Sequence, residues 1–221
     1  MKYPYNLLSE HTKVFPLFGD QLKGDPLIID MSSSNPILDT IDVSDQKLFQ
    51  EIISNLLTKN NAEWGISGYL EYRKSLLKNY PQMVDENRFY HLGIDIVTPV
   101  GYRVYAPLDG EVVSVNYEKE KGSYGHYVVL KHTILDNSFY SLCGHLSHKT
   151  LPKVGDFIKS GESFAQIGDF EDNGFWFHHI HLQVLTEKGY QEGFVSKGYC
   201  SHDMLPKIQD YCPQPAFLFR Y

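Results

Sequence analysis

Five of the ten histidines fall at 91, at 145 and within 178–181, and four of these lie in or beside two short patterns. These are His91-Leu92-Gly93-Ile94-Asp95 and His179-Ile180-His181. On a strand, side chains alternate faces, so residues an even number apart share one. His91 and Asp95 then share a face, as do His179 and His181, while Leu92, Ile94, Ile180 and Leu182 point the other way into a core. If the two segments lie side by side, imidazoles and one carboxylate meet around a point with an open fourth position. Two imidazoles and a carboxylate, with no thiolate, make a catalytic rather than a closed structural zinc site. Either pattern alone is common in surface or core pairs, so the weight rests on their combination. His145, in Cys143-Gly144-His145-Leu146-Ser147, reads by itself as packed or exposed. His178 has the wrong parity and reads as structural or rim, and His11, His126, His132, His148 and His202 read as ordinary structural histidines.

Strands must position these groups. From Phe89 onward, short β-branched and aromatic runs alternate with Gly, Pro, Asn and Asp turns, the pattern of a sandwich or barrel. The expected strands are 93–97, 103–106, 110–117, 126–132, 138–142, 157–158, 163–167 and 179–185, with hairpin loops at 118–125 and 135–137. Residues 1–43 read as irregular structure. Ser44 then looks like the N-cap of a helix over 45–59, whose stripe is Leu48, Phe49, Ile52, Ile53, Leu56 and Leu57. A weaker helix is expected over 67–79, stopped by Pro81, and a short one near 202–209. The domain reading is a 1–85 extension with one or two helices, an 86–190 β domain and a 191–221 tail packed on it.

The stretches in order resemble the lysostaphin/LytM-type zinc metallopeptidase family from about residue 90 to 185. They are His91-Leu92-Gly93-Ile94-Asp95-Ile96, Val104-Tyr105-Ala106-Pro107-Leu108-Asp109-Gly110, Tyr124-Gly125-His126-Tyr127-Val128-Val129, Gly144-His145-Leu146-Ser147, Val154-Gly155-Asp156 and His179-Ile180-His181-Leu182-Gln183-Val184. The resemblance implies an antiparallel β-sandwich or barrel around a narrow groove. It implies Zn2+ held by His91, Asp95 and His181, with His145 and His179 as additional catalytic histidines. The implied activity is that of a zinc metalloendopeptidase cutting peptide bonds in peptidoglycan-like or glycine-containing peptides. Gln183 stands where the family commonly has Glu, and Gly174-Phe175-Trp176-Phe177-His178 crowds the approach to His179 with aromatics. Leu27–Ser32 and the tail 211–215 also resemble the zinc-peptidase-like segment of large cytoplasmic fusions with a class III aminotransferase.

Other classes fit less well. A biotinyl or lipoyl carrier needs a lysine at a hairpin tip, and a cupin needs an acidic ligand closer to its His-x-His than Glu187. The serious rival is a zinc-binding, catalytically idle module that recognises a peptide or glycan in the cytoplasm. The formal charge of −7, without a basic run, argues against nucleic acid. Three scattered cysteines read as reduced thiols. No apolar leader follows Met1, and no run of about 20 apolar residues could span a bilayer. The expectation is therefore no membrane partner and a cytoplasmic location, with export by a route that reads no N-terminal signal as the alternative. A latent form, in which Asn, Asp or His of the extension fills the open metal position, is a further hypothesis that the length and polar turns of the extension motivate.

Overall fold

A computed structural model describes residues 12–221; the reading of the extreme N-terminus and of His11 lies outside them. The alternating runs form an eight-stranded sheet in the order β1 (Leu27–Ile28), β2 (Gly65–Ser67), β4 (Gly93–Val97), β11 (His179–Thr186), β8 (Asn137–Leu146), β7 (Gly125–Ile134), β6 (Gly110–Glu118), β9 (Phe157–Ile158). Its pairs are antiparallel except β1 with β2. The β5 (Arg103–Tyr105) and β10 (Ser163–Gln166) pair packs Val104, Phe164 and Ala165 into one core with Ile94, Ile96, Val128, Leu130, Ile180 and Leu182 of the large sheet. The chain is mainly β, as expected, but the sheet is open and mixed, and no closed barrel forms among the described residues. Its end strands, β1 and β9, hold two residues each, too few for a closing ladder.

The opposite face carries the odd-numbered side chains of β4 and β11 and is covered from both ends of the chain. Leu92, expected in the core with Ile94, lies instead between β3 (Tyr90–His91) and β4, where strand parity is broken. It packs here with Tyr124, Leu142 and Leu185 against Phe194, Tyr211 and Cys212 of the C-terminal segment. Trp176 and Phe177 pack with Phe49, Ile53, Leu76, Leu77, Tyr80 and Met83 from before residue 86. The crowded aromatics thus seat the N-terminal helices. After α1 (Ile37–Thr40), α2 spans Gln46–Lys59, close to expectation, but its cap is Asp45, whose carboxylate accepts from the Leu48 N–H at 3.1 Å. Ser44 instead donates to Asp42.

The expected helix over 67–79 shrinks to α3 (Lys74–Leu77). Leu70 takes a left-handed φ of 59°, which no helix interior accepts, and Tyr72 bridges to Tyr90 on β3 (Tyr90–His91). Pro81 starts α4 (Pro81–Val84) instead of ending a helix, using the first-turn position where its missing N–H costs nothing. α5 covers Glu187–Gln191, and β12 (Tyr199–Cys200) pairs with β3. The segment His202–Asp210 is 3-10 helix with Pro206 inside it. The three cysteines are buried and free.

Candidate active site

Asp95 and His181 face each other directly across the β4–β11 ladder, so the pleat puts both side chains on the covered face. His91 reaches them from β3. Gly93 leaves room for the His181 ring. A Cβ there would sit 2.4 Å from His181 Cε1 and 2.7 Å from its Nε2. His91 Nε2 lies 2.9 Å from His181 Nδ1, and each lies 3.2 Å from Asp95 Oδ1. A tetrahedral ion with bonds of about 2.0–2.1 Å needs ligand atoms about 3.3 Å apart, so this triangle has the size of a zinc ligand face. Among the described residues, these three form one of two groups able to share an ion.

The atoms behind the triangle decide what it can hold. His91 Nδ1–H donates to the Gly68 carbonyl at 2.9 Å, which leaves Nε2 as a bare lone pair. Gln183 Oε1 accepts from the Tyr124 hydroxyl at 3.1 Å and from His181 Nε2–H at 2.9 Å, leaving His181 Nδ1 bare as well. Three acceptors therefore converge with no proton assigned between them, an arrangement that a cation satisfies. Burial, with the Arg73 cation second, pushes the His91 pKa down to about 3, which keeps the ring neutral.

Arg73, only 2% exposed, comes from the segment between β2 and α3. Its Nη1 donates to Asp95 Oδ2 at 2.7 Å, its Nη2 to Ser67 Oγ at 2.8 Å, and its Nε to Glu71 Oε2 at 2.9 Å. Ser67 also donates to Asp95 Oδ2 at 3.1 Å. Oδ2 is thus occupied, and Oδ1 alone faces the histidines. Burial works against the Asp95 charge, but the neighbouring His91 and Arg73 outweigh it and hold the carboxyl well below its ordinary range; the guanidinium is the lasting cause.

His179 follows from β11 parity: its Nδ1–H donates to the Phe177 carbonyl at 2.9 Å, and its Nε2 lies 3.7 Å from Asp95 Oδ1. His145 does not follow from parity, which would place it with Cys143 in the opposite core. Instead the β7–β8 register shifts between His126 and Val128, and His145 takes φ 66°. Such a backbone costs on the order of 1–3 kcal/mol in a non-glycine residue. It turns the ring onto the covered face, 4.2 Å between centroids from His179. There its Nδ1–H donates to the Asn173 carbonyl at 2.8 Å. Burial pushes the His145 pKa well below its ordinary value and the His179 pKa down to about 4, so both present Nε2 lone pairs at neutral pH.

All five expected site residues therefore meet, each no more than 4% exposed. Asp95, His145, His179 and His181 open on a cavity of about 190 Å³ lined also by Arg73, Met83, Tyr124, Trp176 and Tyr199. Among the described residues, no Asp or His of the extension joins the ligand triangle; the extension supplies Arg73, Ser67 and the Gly68 carbonyl behind it. Sequence reasoning missed these, because Arg73, beside Glu71, Lys74 and Ser75, reads as an ordinary exposed charge. His178 stacks on Phe170 and pairs with Asp169.

Residues 89–192 match the model of Peptidase family M23. The chain is 38% identical over 79 residues to an uncharacterized metalloprotease of Haemophilus influenzae, a stretch covering 36% of this chain and 15% of that protein. It is 34% identical over 97 residues to the peptidoglycan DD-endopeptidase ShyB of Vibrio cholerae, covering 43% and 20%. The matched stretch thus spans a fifth or less of these relatives. The catalytic domain of the antimicrobial peptidase lysostaphin from Staphylococcus simulans is similar at 23% identity and a TM-score of 0.45, covering 68% of this chain and 94% of that one.

Proposed function

Residues 89–192 belong to Peptidase family M23 in its LytM/lysostaphin form, and from that premise we propose a zinc-dependent endopeptidase acting on peptidoglycan-like or glycine-containing peptides. The proposed division is a 1–85 extension, an 86–190 peptidase-like β domain and a 191–221 tail. His91, Asp95 and His181 are the proposed zinc ligands, and His145 and His179 the proposed catalytic pair. The observation that carries the reading is the ligand triangle of 2.9–3.2 Å edges, whose ring atoms are stripped of protons by the hydrogen bonds behind them.

When bound, zinc supplies Lewis acidity to a substrate carbonyl and lowers the pKa of attacking water towards about 7. The chain's own residues handle the protons. Neutral His145 and His179 each offer only a lone pair at Nε2, so one accepts the proton of the attacking water. Once protonated, that ring is a donor, able to steady the oxyanion and then to release its proton to the leaving amine. Asn173 and Phe177 hold the two rings through their carbonyls, so neither needs to reorient during the cycle. Arg73 and Ser67 keep Asp95 turned so that Oδ1 faces the centre.

The near-complete burial of the five residues favours a second reading, a module that admits only short soluble peptides of the cytoplasm or binds them without cleavage. Metal analysis, with digestion of purified peptidoglycan and of glycine-rich peptides read by product mass, separates the two. The proposal expects one zinc at this site and new peptide termini. It also expects Asp95→Ala to lose that zinc and His145→Ala to keep it while turnover stops. Zinc-dependent cleavage of short peptides with intact peptidoglycan supports the narrower substrate. Full activity in His145→Ala overturns the assignment.

A further inference from the structure

The second group able to share an ion, His126, His148 and Asp172, has no residue in common with the first. It draws on the start of β7, the 3-10 turn His148–Thr150 and the loop before β11. His148 Nδ1 lies 2.7 Å and His126 Nε2 3.7 Å from Asp172 Oδ1, and all three candidate ligand atoms fall within 4.8 Å of one another. We propose that these residues form a second divalent-metal site, selective for late first-row ions such as Zn2+, which pins the 168–178 loop to the start of β7.

Two of the three ligands are held in place without the ion. The His126 ring stacks on Tyr117 at 4.3 Å between centroids, and its backbone N–H donates to the Asp172 carbonyl at 2.8 Å. Asp172 is 8% exposed and clamped by glycines. A Cβ on Gly125 would lie 2.0 Å from the Asp172 carbonyl oxygen, and one on Gly168 would lie 2.8 Å from its Cβ. The third ligand, His148, is 58% exposed at its side chain and free to adjust. Without metal, its Nδ1–H donates to Asp172, and an ion would replace that shared proton. Among the described residues, no lysine or arginine pairs with Asp172, so its only charge partners are these two rings. Burial lowers the His126 pKa against the opposing pull of the Asp172 carboxylate, which favours the neutral ring that a metal needs.

The ligand set decides the ion. Two imidazoles with one carboxylate suit Zn2+, Co2+ or Ni2+, whereas Ca2+ and Mg2+ require oxygen ligands. The exposed His148 leaves the remaining positions to water, which makes a weaker site than the buried triangle. The loop it would pin also matters for the chemistry. Asn173, next to Asp172, supplies the carbonyl that orients His145.

Equilibrium dialysis of the chelator-stripped full chain against Zn2+ tests the proposal by counting ions. His126→Gln/His148→Gln should bind one Zn2+ fewer per chain than the parent, and His148→Gln, altered only at an exposed side chain, should weaken the lower-affinity site at least tenfold. The difference is independent of the proposed active site. If the buried triangle bound no ion, the parent would hold one and the double variant none. Equal stoichiometry and equal affinities in the parent and His148→Gln would overturn the second site.

Discussion

Replacing Arg73 by Met removes a cation from the interior while keeping most of its volume. The Arg73 and Asp95 side chains are 2% and 3% exposed and meet at 2.7 Å, and Glu71 lies 2.8 Å away on the other side. Without Arg73, Asp95 is a carboxylate buried among neutral rings. Breaking a buried pair from one side costs about 3–5 kcal/mol. For a chain of this length, 1 kcal/mol corresponds to about 2–4 °C in Tm, so metal-free Arg73→Met should melt roughly 6–20 °C lower. Adding Asp95→Asn to that variant should restore part of the loss, because the uncompensated charge disappears. Saturating zinc should narrow the gap, since a divalent ion then supplies the positive charge that Asp95 lacks. Thermal unfolding followed by circular dichroism, in chelator and in zinc, reads all three outcomes. A metal-free Arg73→Met protein melting within about 2 °C of the parent would refute the account of how Asp95 is held.

The Gly93 contact predicts that Gly93→Ala displaces the His181 ring beyond the roughly 0.2 Å that zinc bonds tolerate, lowering zinc affinity on the order of 100-fold in a competition titration. Gln183→Glu restores the residue common in the family but places an oxygen opposite the Phe194 and Lys197 carbonyls, which the amide now meets as a donor at 3.3 and 3.2 Å. It should cost about 1–3 kcal/mol in urea unfolding, and an unchanged midpoint would count against that explanation. His132 is buried with its pKa pushed down to about 4, its rings bonded to Ser141 and the Asp109 carbonyl. Because the folded value is depressed, the neutral ring's contribution is complete above the unfolded pKa of about 6.5 and is lost as pH falls to about 4. The stability deficit of His132→Gln should therefore shrink by about 3 kcal/mol over that window. Parallel pH profiles for parent and variant would contradict it.

Much of the site was legible before any tertiary structure. His181 and Asp95 share a face because each lies on a strand whose core-facing neighbours, Ile180, Leu182, Ile94 and Ile96, set the parity. The hairpin over 118–125 and the tight turn at Leu135-Asp136 were readable for the same reason, as breaks between runs of period two. The helix expected over 67–79 failed because Tyr69, Leu70, Leu76 and Leu77 mimic a helical stripe. In the fold, Leu70 N–H donates to the His91 carbonyl and Leu70 adopts a left-handed backbone. His145 was identified by resemblance, but its orientation depends on a strained φ and a register shift that parity contradicts.

Local periodicity is a property of consecutive residues, so the sequence by itself determined most strands after Phe89 and the faces that β4 and β11 present. It could not determine which distant side chain neutralises Asp95 or that His126, His148 and Asp172 converge. A buried charge finds its partner through the packing of separate segments, and nothing in the spacing from Arg73 to Asp95 or from His126 to Asp172 records that meeting. Tertiary structure decided those pairings, because only in the assembled interior does leaving a carboxylate unpaired carry a large energetic cost.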